Sequence, residues 1–96
     1  MNFQAFLDSL QQKHPPAELT PILKSLWYDG KEDWDAAHDI AQDIHDWQGS
    51  WVHAYLHRKE GDIWNADYWY RSAGKKRPLV SLREEWELIV KELLVL

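Results

Sequence analysis

Two histidines and a glutamate on one short stretch have the types and spacing of metal ligands. His53 and His57 lie four residues apart in HAYLHRKEGD, and Glu60 follows three residues later. On a helix these spacings place all three side chains on one narrow face. Two imidazoles and a carboxylate so placed can bind Zn²⁺ or another divalent ion. The pattern predicts a divalent-metal site, to which folding would have to bring further ligands such as His38 or Asp39.

The same two histidines also have a purely structural interpretation. Both would then pack between helices, with hydrogen bonds to a Tyr or Asp of the adjacent helix. The zinc-peptidase motif requires a Glu directly after its first His, and Ala54 occupies that position, so the general base of that enzyme class is missing. The sequence contains no G-x-S-x-G motif, phosphate-binding Gly loop or nucleotide fingerprint either. Two alternatives stay open: histidines of a structural core, or ligands of a metal-binding protein or metal-dependent hydrolase.

A row of aspartates offers a second candidate surface. Asp35, Asp39 and Asp43 repeat every four residues, and His38, His45 and Asp46 lie among or beside them. Dense Asp and His can bind divalent ions or activate water. Carboxylates repeated at this helical spacing repel one another, however, and are usually tolerated because water solvates them. The row predicts either a solvated face or a docking surface for a basic partner.

A third candidate combines aromatic and basic side chains. Trp51, Tyr55, Arg58 and Lys59 have spacings that group them on one helix, largely away from His53 and His57. A surface of aromatic and basic side chains could bind an extended peptide or a carboxylate through stacking and charge-assisted hydrogen bonds. In the alternative interpretation the two aromatics belong to the core, and the two bases form a solvated helix end, as the helix dipole favours.

The elements that must position these residues are all helical. Apolar residues recur at helical spacing throughout, and no segment combines a strand pattern with turn residues. Predicted helix starts are Asn2, Thr20-Pro21, Asp33, Asp62 and a capping box at Ser81 and Glu84. Gly49-Ser50 predicts the end of the third helix and the start of a fourth, from Trp51 to about Glu60. The chain is thus expected to be one all-α domain over residues 1–96, with about six short antiparallel helices.

Residues 49–78 carry a family resemblance. The matching positions are Ala54, Gly61-Asp62, Ala66, Tyr70, Ala73 and Pro78, together with the aromatic run Tyr68-Trp69-Tyr70. They resemble a tetratricopeptide or Sel1-like repeat, and the whole chain is similar to short uncharacterised bacterial proteins. The resemblance implies helical hairpins, flanked by N- and C-terminal helices, whose groove binds a peptide. His53 and His57 depart from it, because the family usually has apolar and aromatic residues there.

Composition narrows the function classes further. The chain has no cysteine, which excludes disulfides, thiolate catalysis and Cys-based zinc sites. No apolar run approaches a membrane helix, and a net charge of −5 disfavours nucleic acid. We therefore expect a cytoplasmic protein with no membrane or nucleic-acid partner. The apolar end of the last helix, residues 93–96, either docks within the domain or forms a homodimer surface.

Together these patterns predict a small non-catalytic interaction module. It would bind a peptide or protein through the aromatic/basic groove or the acidic helix face, and it would need no cofactor. A metal-binding protein or metal-dependent hydrolase that uses His53, His57 and Glu60 is the alternative.

Overall fold

Six α-helices and no β-strand make up the fold. A computed structural model describes all residues from 1 to 96. The helices are α1 (Phe3–Ser9), α2 (Pro21–Gly30), α3 (Trp34–Ala41), α4 (Trp47–Lys59), α5 (Ile63–Ser72) and α6 (Leu82–Leu94). The predicted all-α class is confirmed. None of the six has both the length and the apolar character that a bilayer crossing requires.

Local capping explains where most helices begin. Asn2, Asp33, Asp62 and Ser81 each accept a hydrogen bond from the backbone N–H three residues further on. These bonds satisfy N–H groups that the first turn of a helix leaves unpaired. Thr20 precedes Pro21 at the start of α2, as predicted, but its side chain makes no capping bond. The starts of five helices therefore follow from short-range chemistry that can be read from the sequence.

The boundary predicted at Gly49-Ser50 is wrong. α3 already ends at Ala41, and α4 begins at Trp47 with Asp46 as its cap, so Gly49 and Ser50 lie inside α4. Packing accounts for this glycine: a Cβ atom at position 49 would lie 1.8 Å from the backbone oxygen of Ile44. Gly49 thus allows the loop between α3 and α4 to lie directly on the helix.

α4 occupies the centre of the molecule. Every residue from Gly49 to Leu56 is buried, and α4 contacts α2, α3, α5 and α6. The most extensive helix contacts are those of α4 with α5 and of α2 with α3. Trp86 of α6 packs against Phe3 and Phe6 of α1, so the first and last helices close one side of the core. The residues of α4 are consequently held from several sides at once.

The C-terminal helix is only partly docked. Leu93 is buried, whereas Val95 and Leu96 are exposed, as is Leu88 on the outer side of α6. The core thus covers part of the apolar end that the sequence contains. Self-association through this helix stays a prediction.

The contact at Gly49 predicts an unusual mutational effect. Replacing glycine by alanine inside a helix normally stabilises it by about 0.5–1 kcal/mol. Here the added methyl group meets backbone, so we expect Gly49→Ala to lower the free energy of unfolding by about 2 kcal/mol. Urea denaturation followed by circular dichroism measures the change. Gln48→Ala, one residue earlier, is the control and should change stability little; a stabilising Gly49→Ala would contradict this packing.

Candidate metal centre

Three histidines converge where α3 meets α4. His38 comes from α3, and His53 and His57 lie one turn apart on α4. The His38 and His53 Nε2 atoms are 3.0 Å apart. One ligand nitrogen from each of the three rings lies within 4.8 Å of those of the other two. Folding thus adds His38 to the predicted pair, whereas Asp39 remains exposed and outside the group.

Two tryptophans enclose this histidine cluster. The Trp34 ring stacks on His38 with centroids 4.8 Å apart, and the Trp69 ring stacks on His53 at 4.3 Å. Trp34 is itself held by a hydrogen bond from its indole N–H to the Leu56 carbonyl. These contacts restrict the orientation of both imidazoles and reduce the access of water to the cluster.

Burial keeps His53 neutral. Its side chain is 8% exposed. Desolvation, together with the neighbouring His57 and His38, lowers its pKa to about 4. At neutral pH His53 is therefore an uncharged imidazole, which is the form that binds metal ions.

Glu60 orients His57 instead of joining the three histidines. The His57 Nδ1 atom lies 2.7 Å from a Glu60 carboxylate oxygen. An ionised carboxylate can only accept, so Nδ1 carries the hydrogen, and in the neutral imidazole Nε2 keeps its lone pair. A carboxylate that holds the second nitrogen of a histidine in this way is common beside metal ligands. Glu60, predicted as a ligand, thus has the position of a residue that orients one.

The spacing of the cluster suits a tetrahedral ion. Two imidazole nitrogens bound to Zn²⁺ at about 2.0–2.1 Å lie roughly 3.3 Å from each other. The His38–His53 distance of 3.0 Å is close to this value. The third ring would have to move inward by a small side-chain adjustment. No sulfur ligand is present, and an all-imidazole set suits Zn²⁺, Cu²⁺ or Ni²⁺.

A second potential ligand group lies beside the cluster, but its carboxylates already have partners. It consists of His57, Glu60 and Asp62. Asp62 accepts hydrogen bonds from the backbone and side chain of Asn65, which lower its pKa and cap α5. Glu60 holds His57. The three histidines are therefore the better candidate.

The aromatic/basic groove is not open in the structure. Trp51 and Tyr55 are buried in the core. The Tyr55 hydroxyl donates to Asp29 at 2.6 Å, and burial and this carboxylate together raise the pKa of Tyr55. The two residues are core side chains, as in the alternative interpretation.

The two bases of the predicted groove pair with buried carboxylates. Arg58 donates to Glu85 at 2.7 Å, and Lys59 donates to Asp29 at 2.9 Å. Burial alone would lower the pKa of Lys59, but Asp29 and the nearby Glu32 more than offset it, so the pKa is raised. Both bases connect α4 to neighbouring helices, so they do not form a solvated helix end. Little of either side chain is accessible to a peptide.

The acidic face of α3 is open to solvent. Asp35 and Asp39 lie on α3, but Asp43, predicted on the same helix, lies in the turn after it, because α3 ends at Ala41. All three are exposed, and none of them forms an ion pair. His45 and Asp46 lie in the loop after α3, and Asp46 caps α4. This arrangement fits a solvated face, and docking of a basic partner there stays a prediction.

The two tryptophans that enclose the histidine cluster were not predicted from the sequence. Trp34 precedes His38 by one turn of α3, so its place beside that histidine has a local signal. Trp69 lies on α5 and reaches His53 only through the packing of α4 on α5. No spacing in the sequence predicts the contact between Trp69 and His53.

Comparison with family models, curated proteins and solved structures found no match for this chain. The tetratricopeptide or Sel1-like resemblance therefore stays a prediction.

The lowered pKa of His53 predicts acid sensitivity of the metal-free protein. An unfolded histidine has a pKa near 6.5, so between about pH 6.5 and 4 the unfolded chain binds a proton that the folded chain does not. The stabilisation is present in full above pH 6.5 and is lost as the pH falls toward 4, by about 3 kcal/mol in total. Urea denaturation of chelator-treated protein at several pH values measures it.

A matched pair of variants isolates this contribution. His53→Gln should flatten the pH dependence between pH 6.5 and 4, whereas His14→Gln, at an exposed histidine, should leave it unchanged. Equal slopes for wild type and His53→Gln would show that His53 titrates normally.

Proposed function

We propose that this protein binds a divalent transition-metal ion through His38, His53 and His57. The observation that carries the proposal is the convergence of three imidazoles from two helices, with Nε2 atoms of two of them 3.0 Å apart. A structural core would not need this arrangement, because apolar residues fill helix contacts without the cost of burying polar rings. The hydrogen bond from His57 to Glu60 supports it, since it leaves His57 Nε2 free to coordinate.

Three protein ligands would leave one position of a tetrahedral ion for water or an exogenous ligand. Structural zinc sites usually use four protein ligands, whereas catalytic sites use three. Three imidazoles therefore favour a centre that binds or activates a small molecule over one that only holds the fold together. The hydrolase alternative rests on this open position, and no side chain beside the cluster is assigned as its general base.

The fold contributes a scaffold for such a centre. α2 packs mainly on α3, and α4 mainly on α5. This pairing supports a tetratricopeptide-like arrangement of two successive helical hairpins flanked by α1 and α6. In that arrangement the centre lies at the contact between the hairpins, where α3 meets α4.

A second candidate function is docking of a basic protein partner on α3. The specific observation is that Asp35 and Asp39 on α3, and Asp43 in the turn that follows it, are exposed and form no ion pair. A like-charged row raises the local concentration of basic partners by long-range attraction. This function is compatible with a metal centre, because the exposed aspartates are not members of the histidine cluster.

The metal proposal predicts stoichiometric binding by protein that carries no His-tag. We expect one Zn²⁺ or Co²⁺ per chain by isothermal titration calorimetry, and Co²⁺ absorption typical of a tetrahedral site. His38→Gln and His57→Gln should each weaken binding at least about 100-fold, and Glu60→Gln about tenfold, because Glu60 only orients a ligand. His14→Gln is the control and should bind as the wild type does. Absence of a 1:1 complex, or undiminished affinity of His38→Gln, would overturn the proposal.

Docking on α3 predicts that charge reversal abolishes capture. Asp39→Lys combined with Asp43→Lys should lose a partner that wild-type protein retains from native lysate, while circular dichroism shows an intact fold. Asp8→Lys with Glu18→Lys makes the same change in net charge elsewhere on the surface and should retain the partner. Equal loss in both double variants would indicate non-specific attraction instead of a docking face.

A further inference from the structure

A cavity of about 470 Å³ lies directly beside the histidine cluster. It is bounded by the end of α3 and the loop that follows, by the first half of α4, and by α5. Its volume falls within the range of about 300–1,000 Å³ that is usual for small-molecule sites. Gly49 forms part of its wall, and the close approach of Ile44 to this glycine shapes the cavity.

The cavity and the histidine cluster share His53, and Trp69 contacts both. His53 contributes one imidazole to the cluster and also lines the cavity. Trp69 lines the cavity as well, and its ring stacks on that of His53. A ligand in the cavity would therefore lie against the ring that carries one of the three coordinating nitrogens. The cavity thus brings a bound molecule next to the cluster, at the His53 side of it.

The apolar part of the cavity favours a planar ligand. Trp47, Trp69 and Ile44 supply its large hydrophobic surfaces. The Trp47 side chain is 42% exposed, which places it at the rim of the cavity. Aromatic faces bind planar rings by offset or edge-to-face contacts.

The charges around the cavity favour a neutral ligand. Asp46 is its only lining side chain with a full charge at neutral pH, and no Lys or Arg lines it. Lys75 approaches Trp47 from outside this lining, where it lies over Trp51 and pairs with Glu92. In the metal-free protein Asp46 would repel an anion, and in the metal-loaded protein the divalent ion would repel a cation. A neutral molecule avoids both costs.

Two hydroxyls add a polar contact at the wall. Ser50 Oγ and Ser72 Oγ lie 3.1 Å apart and share a hydrogen bond. Each hydroxyl has a further lone pair, so either can accept from a ligand N–H. Ser50 is buried at 9% exposure, which makes such a bond well shielded from water.

From these features we infer that the cavity is the ligand pocket of the metal centre and takes a small neutral, planar nitrogen heterocycle. This inference rests on the proposed metal-binding function. One ring nitrogen would donate its lone pair to the open position of the ion, and a ring N–H would bond to a serine hydroxyl. The ring would lie against Trp47 and Trp69.

Benzimidazole and indole test the inference as a matched pair of probes. The two are planar and of the same size, but only benzimidazole has a basic ring nitrogen. Calorimetry at slightly alkaline pH, where benzimidazole is neutral, would compare Zn²⁺-loaded with metal-free protein. We expect benzimidazole to bind the loaded protein at least about tenfold more tightly than the metal-free protein, a difference that indole should not show. Benzoate, as the anionic probe, should bind the metal-free protein more weakly than indole does.

Two tryptophan variants locate the bound probe. Trp47→Leu removes a wall of the cavity and should weaken benzimidazole binding about tenfold. Trp64→Leu makes the same change at a tryptophan that is 79% exposed on α5 and does not line the cavity, so it should have no effect. Unchanged binding by Trp47→Leu would overturn the inference.

The outcomes separate this inference from the metal proposal, because Zn²⁺ binding is measured without any organic probe. If Zn²⁺ binds and benzimidazole shows no preference for the loaded protein, the pocket inference fails and the metal centre stands. If Zn²⁺ does not bind, both fail, even if indole and benzimidazole occupy the cavity through Trp47.

Discussion

Burial of α4 is the constraint on which the rest of the structure depends. Eight consecutive positions, from Gly49 to Leu56, are buried, yet the helix carries serine, tyrosine, two histidines and two bases. A buried polar group without a partner is costly, so each must be paired within the protein. The structure meets this requirement, since no buried side-chain nitrogen or oxygen lacks a hydrogen-bond partner. The partners come from different neighbours, with Asp29 on α2 and Glu85 on α6, and these bonds help to set the position of each helix relative to α4.

The histidines satisfy the same requirement in an unusual way. His53 pairs with a second imidazole, that of His38, and not with a carboxylate that could stabilise its charged form. His53 itself is therefore uncharged at physiological pH. Two polar rings facing each other between aromatic walls are an expensive way to fill space. The separation of their nitrogens, however, is close to the one that a tetrahedral metal ion imposes on two of its ligands. The departure of His53 and His57 from the repeat-like pattern is thus easier to explain by ligand binding than by packing.

The groove residues illustrate how a correct local pattern can suggest the wrong role. Trp51, Tyr55, Arg58 and Lys59 do come from one helix, as their spacing requires. Spacing alone does not say whether that helix is covered, and α6 and α2 cover it here. Two buried acids, one from each of these helices, then neutralise the bases. The acids are 30 residues before and 27 residues after their partners in the chain, so no short-range signal reports the pairing.

By itself the sequence determined the helical class, most helix starts and the common face of His53 and His57. These features depend on caps and on a spacing of four residues, which act within one turn of the chain. Only the tertiary structure decided that His38 completes the cluster, that Trp69 covers it and that a cavity opens beside it. It also decided that Gly49 lies within a helix. A glycine is needed there because the carbonyl of Ile44 packs against it, and not because its backbone conformation requires one. Each of these depends on how α3 and α5 pack on α4, and helix packing follows from the fit of whole surfaces, which no short segment encodes.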